Sequence, residues 1–417
     1  MTEGATAVSG PTSGLPLIGA RVIDLTHILA GPFATMLLAD LGADVVKVER
    51  PDGGDETRAW GPPWVEAAAG AAAYFVAVNR NKRSVAIDLR GDEGRAVLWR
   101  LVEGSDAVVS NFRPGVMDRL GFSRSTVVAR SPRTVYAEIN GYGAGGPAAG
   151  RPAYDVIVQG ETGVMDLTGF PDGPPTRVGI TLGDQVAGLY AVQGVLAALL
   201  DRQRTGRGGH VEVALHDALL SLLTYHAQGW WAGGPPPSRM GNAHPSIVPY
   251  QAFQAADGWL NVGVGNDRQW AGFCAAIGRP RWADDVRWRT NGDRVERRAE
   301  LVPRLERIFA GRPVSDWLER LGDAAVPCGP IRTVPEALES PESRARGAVT
   351  EVAGIPTLAP AVRLNGAGGG LRRPPPGLGE HTAEVLAEAG YVVAEIDALR
   401  ARGAVAGPGP EVERGTG

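Results

Sequence analysis

From Ala20 onward, short apolar runs alternate with longer segments whose apolar residues recur every three or four positions. ARVIDL reads as a buried strand, GPFATMLLADLG as a helix closed by Gly42, and DVVKVE as the next strand. RPDGGDETRAW is turn-rich and charged, a surface loop. VAIDL, DEGRAVLWRLVEG and DAVVSNF repeat the strand–helix–strand pattern, and TVYAEIN adds a further strand. Such alternation predicts an α/β fold with a parallel, doubly wound sheet.

Beyond it, Tyr154 to Phe170 reads as a short helix and turn. RVGITLGDQVAGLYAVQGVLAALL reads as a short apolar run followed by a long helix, apolar almost all the way round and therefore buried. HVEVAL is a strand and DALLSLLTYHAQGWW an amphipathic segment. GGPPPSRMGNAHPSIVPY, rich in Gly and Pro, marks a boundary or an exposed functional loop. A hairpin (YQAFQAADGWLNVGVG), a helix (NDRQWAGFCAAIG) and charged helices follow, and HTAEVLAEAG and EIDALRARG pair as final helices. At 417 residues the chain exceeds the ~250–300 at which one core splits. The expected division is a disordered tail at 1–17, a large Rossmann-like domain at 18–226, and a smaller α/β domain at 227–330. Residues 331–405 return to the large domain, and 406–417 form a second disordered tail.

Asp184 stands at the entrance of the long helix, and two readings of it stay open. Asp is a preferred N-cap, which alone would justify it. A carboxylate nucleophile would want the same dry place with free N–H groups.

Composition narrows the chemistry. A formal charge of −4 argues against a nucleic-acid binder. The N-terminus has no basic or apolar signal segment, and the run Val186–Leu200 falls short of the ~18 residues of a membrane span. Cys274 and Cys328 lie far apart, which suits a reducing cytosol. The expected location is cytoplasmic, with no membrane association. There is no GxSxG, HExxH or GxxxxGK[ST], and the histidines are scattered, so no metal site is expected. Gly141–Gly146 matches GxGxxG after a strand, but Pro147 and Pro152 prevent the helix that a dinucleotide site needs. Basic residues gather behind successive strands: Lys47 and Arg50, Lys82 and Arg83, Arg113 and Arg119. Ligands of doubly wound sheets bind there, and Arg and Lys suit phosphates.

RVIDLTHILAGPFATMLLADLGADVVKVERPDGGDETR, NRNKRSVAIDL, NFRPGVMDRLGF, YDVIVQGETGVMDLTG, LGDQVAGLYAVQGVLAAL, MGNAHPSIVPY, GNDRQW and RPPPGLGEHTAEVL, in this order, resemble the family III coenzyme A transferases. The resemblance runs from about residue 18 to about residue 405. It implies a cytoplasmic enzyme that moves coenzyme A from an acyl-CoA, succinyl-CoA among the candidates, to a carboxylic acid, with no tightly bound cofactor. It also implies a homodimer of interlocked rings. Carried over by motif, Asp184 is the catalytic aspartate. His27, Ile28, Leu29, Ala30, Arg50, Lys82, Asn111, Phe112, Arg119 and Asn140 fall at coenzyme A positions. Trp60, Tyr142 and Tyr154 fall at the acyl pocket.

Two departures limit the branch. The formyl-CoA branch has Gln where this chain has Leu29, and a glycine run near VGVGN at 262–266, so an oxalate or formyl pocket is not expected. The related 2-methylacyl-CoA racemases, the alternative reading, carry a His where this chain has Tyr154. Racemisation needs two acid/base groups, and a phenol of pKa about 10 is poorly tuned for one. A catalytically idle CoA-binding protein is the third reading, and Asp184 argues against it. A transferase needs a nucleophile ionised at pH 7 without a helper, which an ordinary Asp supplies. Exchange of one thioester for another is nearly isoenergetic and calls for no ATP. Arg177 and Arg239 are candidates for holding the distal carboxylate of a dicarboxylate.

Overall fold

The computed structural model describes residues 14–365 and 367–408. Most of the two tails expected at 1–17 and 406–417 lies outside them. The chain divides into two units: 1–162, 179–224 and 342–417 form the first, and 163–178 with 225–341 form the second. Segment 163–178, expected in the large domain, thus belongs to the second unit, as do residues 331–341.

In the first unit, strands β1 (Arg21–Leu25), β2 (Asp44–Glu49), β3 (Lys82–Ile87), β4 (Ala107–Ser110), β5 (Val135–Asn140) and β6 (His210–Ala214) are all parallel. The strand Val405–Ala406, β7, closes one edge antiparallel to β3. The order is β7-β3-β2-β1-β4-β5-β6. Apart from β7 this is the 3-2-1-4-5-6 order of dinucleotide-binding folds, whose ligand crevice opens where the order reverses, between β1 and β4. The C-terminal tail was expected to begin at Ala406, the second residue of β7. The edge strand was hidden by flanking Gly and Pro and by having only two residues.

The strands read as near-continuous apolar runs because helices cover both faces. One face packs against α3 (Asp92–Glu103), α7 (Thr382–Glu388) and α8 (Val393–Ala401) through Val97, Leu98, Leu101, Val385, Leu386 and Ile396, all at most 3 % exposed. α1 (Ala30–Asp40), the short α2 (Ala73–Val76), α4 (Asp155–Glu161), α5 (Leu182–Thr205) and α6 (Leu215–Leu220) complete the unit's helices used below. By length and composition α5 could cross a bilayer. It packs against α1, α4, α6, β5 and β6.

Its buried positions, Gly183, Ala187, Gly188, Ala191, Val195 and Leu199, follow helical spacing and are mostly small, which lets α1 come close. A Cβ on Gly188 would lie 2.9 Å from both the Ala30 carbonyl oxygen and Phe33 Cδ1. Gly188→Val should therefore cost about 1–3 kcal/mol, read as a lowered thermal midpoint, because backbone rather than a flexible tip obstructs it.

The second unit carries a three-stranded antiparallel sheet, in the order Cys328–Pro330, Trp259–Gly263, Tyr250–Gln254. The expected hairpin is its Tyr250–Gln254 and Trp259–Gly263 pair. Its core is aromatic, with Trp270, Phe273, Trp288, Phe309 and Trp317 all buried.

Candidate active site

The residues that gather around Asp184 all belong to the first unit. The loop between β1 and α1 lies at the carboxyl end of β1, at the strand-order reversal. Ile28 there has φ +69°, a left-handed conformation that a β-branched residue adopts only under constraint. The constraint is visible on both sides. Asn111, one residue beyond β4, accepts the His27 N–H at 2.9 Å and donates to the His27 carbonyl at 2.7 Å. Asp55 Oδ1 accepts the Ile28 N–H at 3.3 Å. The His27 ring meets Phe112 edge-on at 5.5 Å. Its imidazole is held below the ordinary pKa, chiefly by burial. His27, Ile28, Asn111 and Phe112 are thus brought together. Leu29 and Ala30 turn inward, 8 % and 4 % exposed.

Below the loop lies a buried cluster of charges. Lys82 Nζ donates to Asp24 Oδ2, the Pro32 carbonyl and Asn79 Oδ1, each at 2.9 Å. Lys47 Nζ donates to the Thr26 carbonyl at 2.8 Å and pairs with Asp55 at 3.0 Å. Both lysine side chains are fully buried. Lys82, expected at a coenzyme A position, is placed here inside the fold. Its donors are taken up by Asp24, Pro32 and Asn79, and it shapes the loop from beneath. Arg50 and Arg119 are exposed, and the nearest carboxylate to Arg50 is Glu56, at 3.9 Å.

Asp184 is the third residue of α5, not its N-cap. The cap position is Thr181, which makes no side-chain capping bond. The orphan N–H of Gly183 is satisfied from outside the helix, by Asp155 Oδ1 at 2.7 Å. The capping reading of Asp184 is therefore set aside. One of the N–H groups expected to be free there is thus taken by Asp155. Among the described residues no group hydrogen-bonds the half-buried Asp184 carboxyl. Burial, and then the negative charge of Asp155, push it up to about 7. It is not the fully ionised carboxylate expected from an ordinary Asp. Near neutrality about half of it is ionised, and that half is unusually basic.

Tyr74 in α2 carries no signal in the sequence, because a four-residue helix shows no periodicity. Its ring meets Trp60 edge-on at 5.2 Å and, like Ile28 and Phe33, packs against the buried cluster of Leu29, Met36 and Val78. Burial, then the charges of Asp184, Asp155 and Asp55, push its phenol up. Tyr74 thereby links Trp60 (43 % exposed) and the strained loop to Asp184.

The other acyl-pocket candidates have different neighbours. The Arg151 guanidinium lies over the Tyr142 ring, and His216 stands 6.2 Å from it. Asn140 accepts the Gly143 N–H and so shapes the GYG turn. Tyr154 occupies the N-cap position of α4 and is 58 % exposed. In the second unit, Arg239 pairs with Asp166 at 2.6 Å, so its charge is already neutralised, whereas Arg177 is exposed. Among the described residues no group of three or more His, Cys, Asp or Glu side chains could hold a metal ion.

A doubly wound sheet thus carries a strained, anchored loop at its switch point and a raised-pKa carboxyl on a packed helix. Residues 17–382 match CoA-transferase family III, and the chain belongs to that family. It is an enzyme that transfers coenzyme A between an acyl-CoA and a carboxylate. It is 42 % identical over 386 residues to a succinate–glutarate CoA-transferase of Agrobacterium fabrum, covering 91 % of this chain and 96 % of that one. It is 41 % identical over 352 residues to an acetyl-CoA:oxalate CoA-transferase of Acetobacter aceti, covering 84 % and 90 %. A CAIB/BAIF family protein of Brucella suis, known by crystal structure, superposes with a TM-score of 0.81 at 42 % identity, covering 90 % of this chain and 99 % of that one.

Proposed function

We propose that the enzyme moves coenzyme A from succinyl-CoA to a short dicarboxylate such as glutarate, through covalent intermediates on Asp184. The observation that carries this reading is the Asp184 carboxyl: half-buried, hydrogen-bonded by none of the described residues, relieved of capping by Asp155, and basic. The Agrobacterium relative, by its name, supports the choice of acids.

The ionised Asp184 oxygen attacks the thioester carbonyl. The C–S bond breaks, coenzyme A leaves as thiolate, and a mixed anhydride remains. The thiolate attacks the aspartyl carbonyl, releasing the donor carboxylate and leaving an aspartyl-CoA thioester. The acceptor carboxylate displaces the thiolate to form a second anhydride. The thiolate then attacks the acceptor's carbonyl, giving the new acyl-CoA and free Asp184. Water must be excluded throughout, since each intermediate hydrolyses. The apolar cluster of Leu29, Met36 and Val78, with Phe33 and the Tyr74 ring packed against it, favours this.

Because the ionised form is the nucleophile and its pKa is raised, activity should fall as pH drops through about 7 and level off by about pH 8. Incubation with succinyl-CoA and a panel of glutarate, oxalate and butyrate tests the substrate reading by chromatography of the CoA esters. Glutaryl-CoA and succinate should appear in equal amounts, with butyrate at least about tenfold slower, as expected where a site pairs a second charge. Equal turnover of butyrate would remove the dicarboxylate reading.

The enzyme is further proposed to act as a homodimer. α5 leaves Leu189 and Leu200 exposed (53 % and 73 %), and Leu220 and Leu222 are exposed beside the end of α6. Apolar side chains left open in this way are what a second copy covers.

A further inference from the structure

The first turn of α5 is fastened by a buried carboxylate. Asp155 is 5 % exposed. Its Oδ1 accepts the Gly183 N–H and its Oδ2 accepts Gln159 Nε2, both at 2.7 Å. Among the described residues no cation pairs with it, although a buried carboxylate normally takes one. A Cβ on Gly183 would stand 3.0 Å from Oδ1, so the absence of a side chain there lets the carboxylate sit close against the helix start. The residue after Gly183 is Asp184.

We propose that Asp155 is a positioning residue that acts through its charge: its two hydrogen bonds fix the turn carrying Asp184, and its buried carboxylate holds a second negative charge against that turn. This rests on the reading of Asp184 as nucleophile.

The other ionisable groups on the elements packed against α5 are already engaged or remote. On α1, Asp40 pairs with Arg80. On α6, His216 and Asp217 face each other at 3.2 Å. On β5, Glu138 meets His210 of β6 at 3.1 Å, and the Tyr136 phenol donates to the Phe122 carbonyl. Glu212 accepts the Ala144 N–H. Glu161, at the far end of α4, pairs with Arg151. Within α5, Asp201 pairs with Arg204, and Arg202 with Asp106, in the last turns. On α5 itself Tyr190 shares a hydrogen bond with Ser221, and Tyr74, its phenol held above the ordinary value, lies in the field of both aspartates. Burial and Asp155 together account for the raised Asp184. Removing the Asp155 charge should leave the burial contribution alone.

The test follows acylation of Asp184 by succinyl-CoA in a single turnover between pH 5 and 9, by peptide mass spectrometry. It compares the native enzyme with Asp155→Asn and Asp155→Ser. Both substitutions keep an oxygen that can accept the Gly183 N–H, and neither carries charge. The native midpoint near 7 should drop by about one unit or more in both variants, as expected when a neighbouring like charge is removed. The plateau rate at pH 8 should fall severalfold because the carboxylate is less basic. Asp155→Glu should retain the native midpoint.

An unmoved midpoint in the folded Asn and Ser variants would overturn the proposal. Loss of the folded circular-dichroism spectrum in both would also overturn it, since Asp155 would then be only a structural anchor. Absence of an Asp184 adduct in the native enzyme at every pH would instead sink the nucleophile assignment itself.

Discussion

Asp184→Asn should lose CoA transfer by about 10⁴-fold or more in kcat, the scale seen when a covalent nucleophile is removed, while still binding coenzyme A. The same change should stabilise the fold. The native carboxyl has a folded pKa of about 7 against an ordinary 3.8. Between those values the folded state holds more protons than the unfolded one, so native stability falls as pH rises through that window. The three-unit gap would be worth ~4 kcal/mol for a fully buried group, and about 1–3 kcal/mol after solvent screening of a half-buried one. Asn carries no charge to desolvate. The variant should therefore melt several degrees above the native enzyme at pH 8, with the gap closing below about pH 4. Thermal melts at pH 4 and pH 8 check this. An inactive variant with no pH-dependent gain would mean that Asp184 is not held in a desolvated place.

Lys82→Met should be the most damaging single change to the fold around the site. It strands Asp24, which is fully buried and keeps only Thr26, Thr35 and the more distant Lys47 for compensation. Breaking a buried pair by removing one partner costs about 3–5 kcal/mol. The Pro32 carbonyl at the start of α1 also loses a donor. Denaturant melts should show that loss, with activity falling because the His27–Ala30 loop slackens. Arg119→Met, on an exposed side chain, should change stability by less than about 0.5 kcal/mol. If Arg119 meets a phosphate, its loss should raise KM for the acyl-CoA by about tenfold. The contrast separates a cation that builds the site from one that meets the ligand. Equal stability of the two variants would contradict the burial of Lys82.

These two lysine and arginine positions also show where sequence reasoning stops. The parallel sheet was legible because strands covered on both faces must be apolar along their length, as VIDL and DVVKV are. The switch-point loop was legible through its motif, and so was the long helix that carries Asp184. A lysine behind a strand looks like a phosphate ligand, however, until its partner is known. Asp24 lies 58 residues away and is brought beside Lys82 only by the order of the strands. The partner of the α5 start was hidden for the same reason: the carboxylate that accepts the Gly183 N–H comes from 28 residues upstream. Asp184, adjacent in sequence, was only one of two open readings, cap or nucleophile, and the cap reading is the one the fold removes. Tyr74 and the β7 edge strand sit in elements too short to leave a periodic trace.

The central claim is that Asp184 is the covalent carrier. Incubating the enzyme with succinyl-CoA and no acceptor, then digesting it, puts the claim directly on the peptide that contains Asp184. The expected result is a succinyl or CoA adduct there, converted to a hydroxamate by hydroxylamine, discharged by glutarate, and missing from Asp184→Asn. Continued exchange of coenzyme A between succinyl-CoA and glutarate with that peptide unmodified at every time point would contradict it.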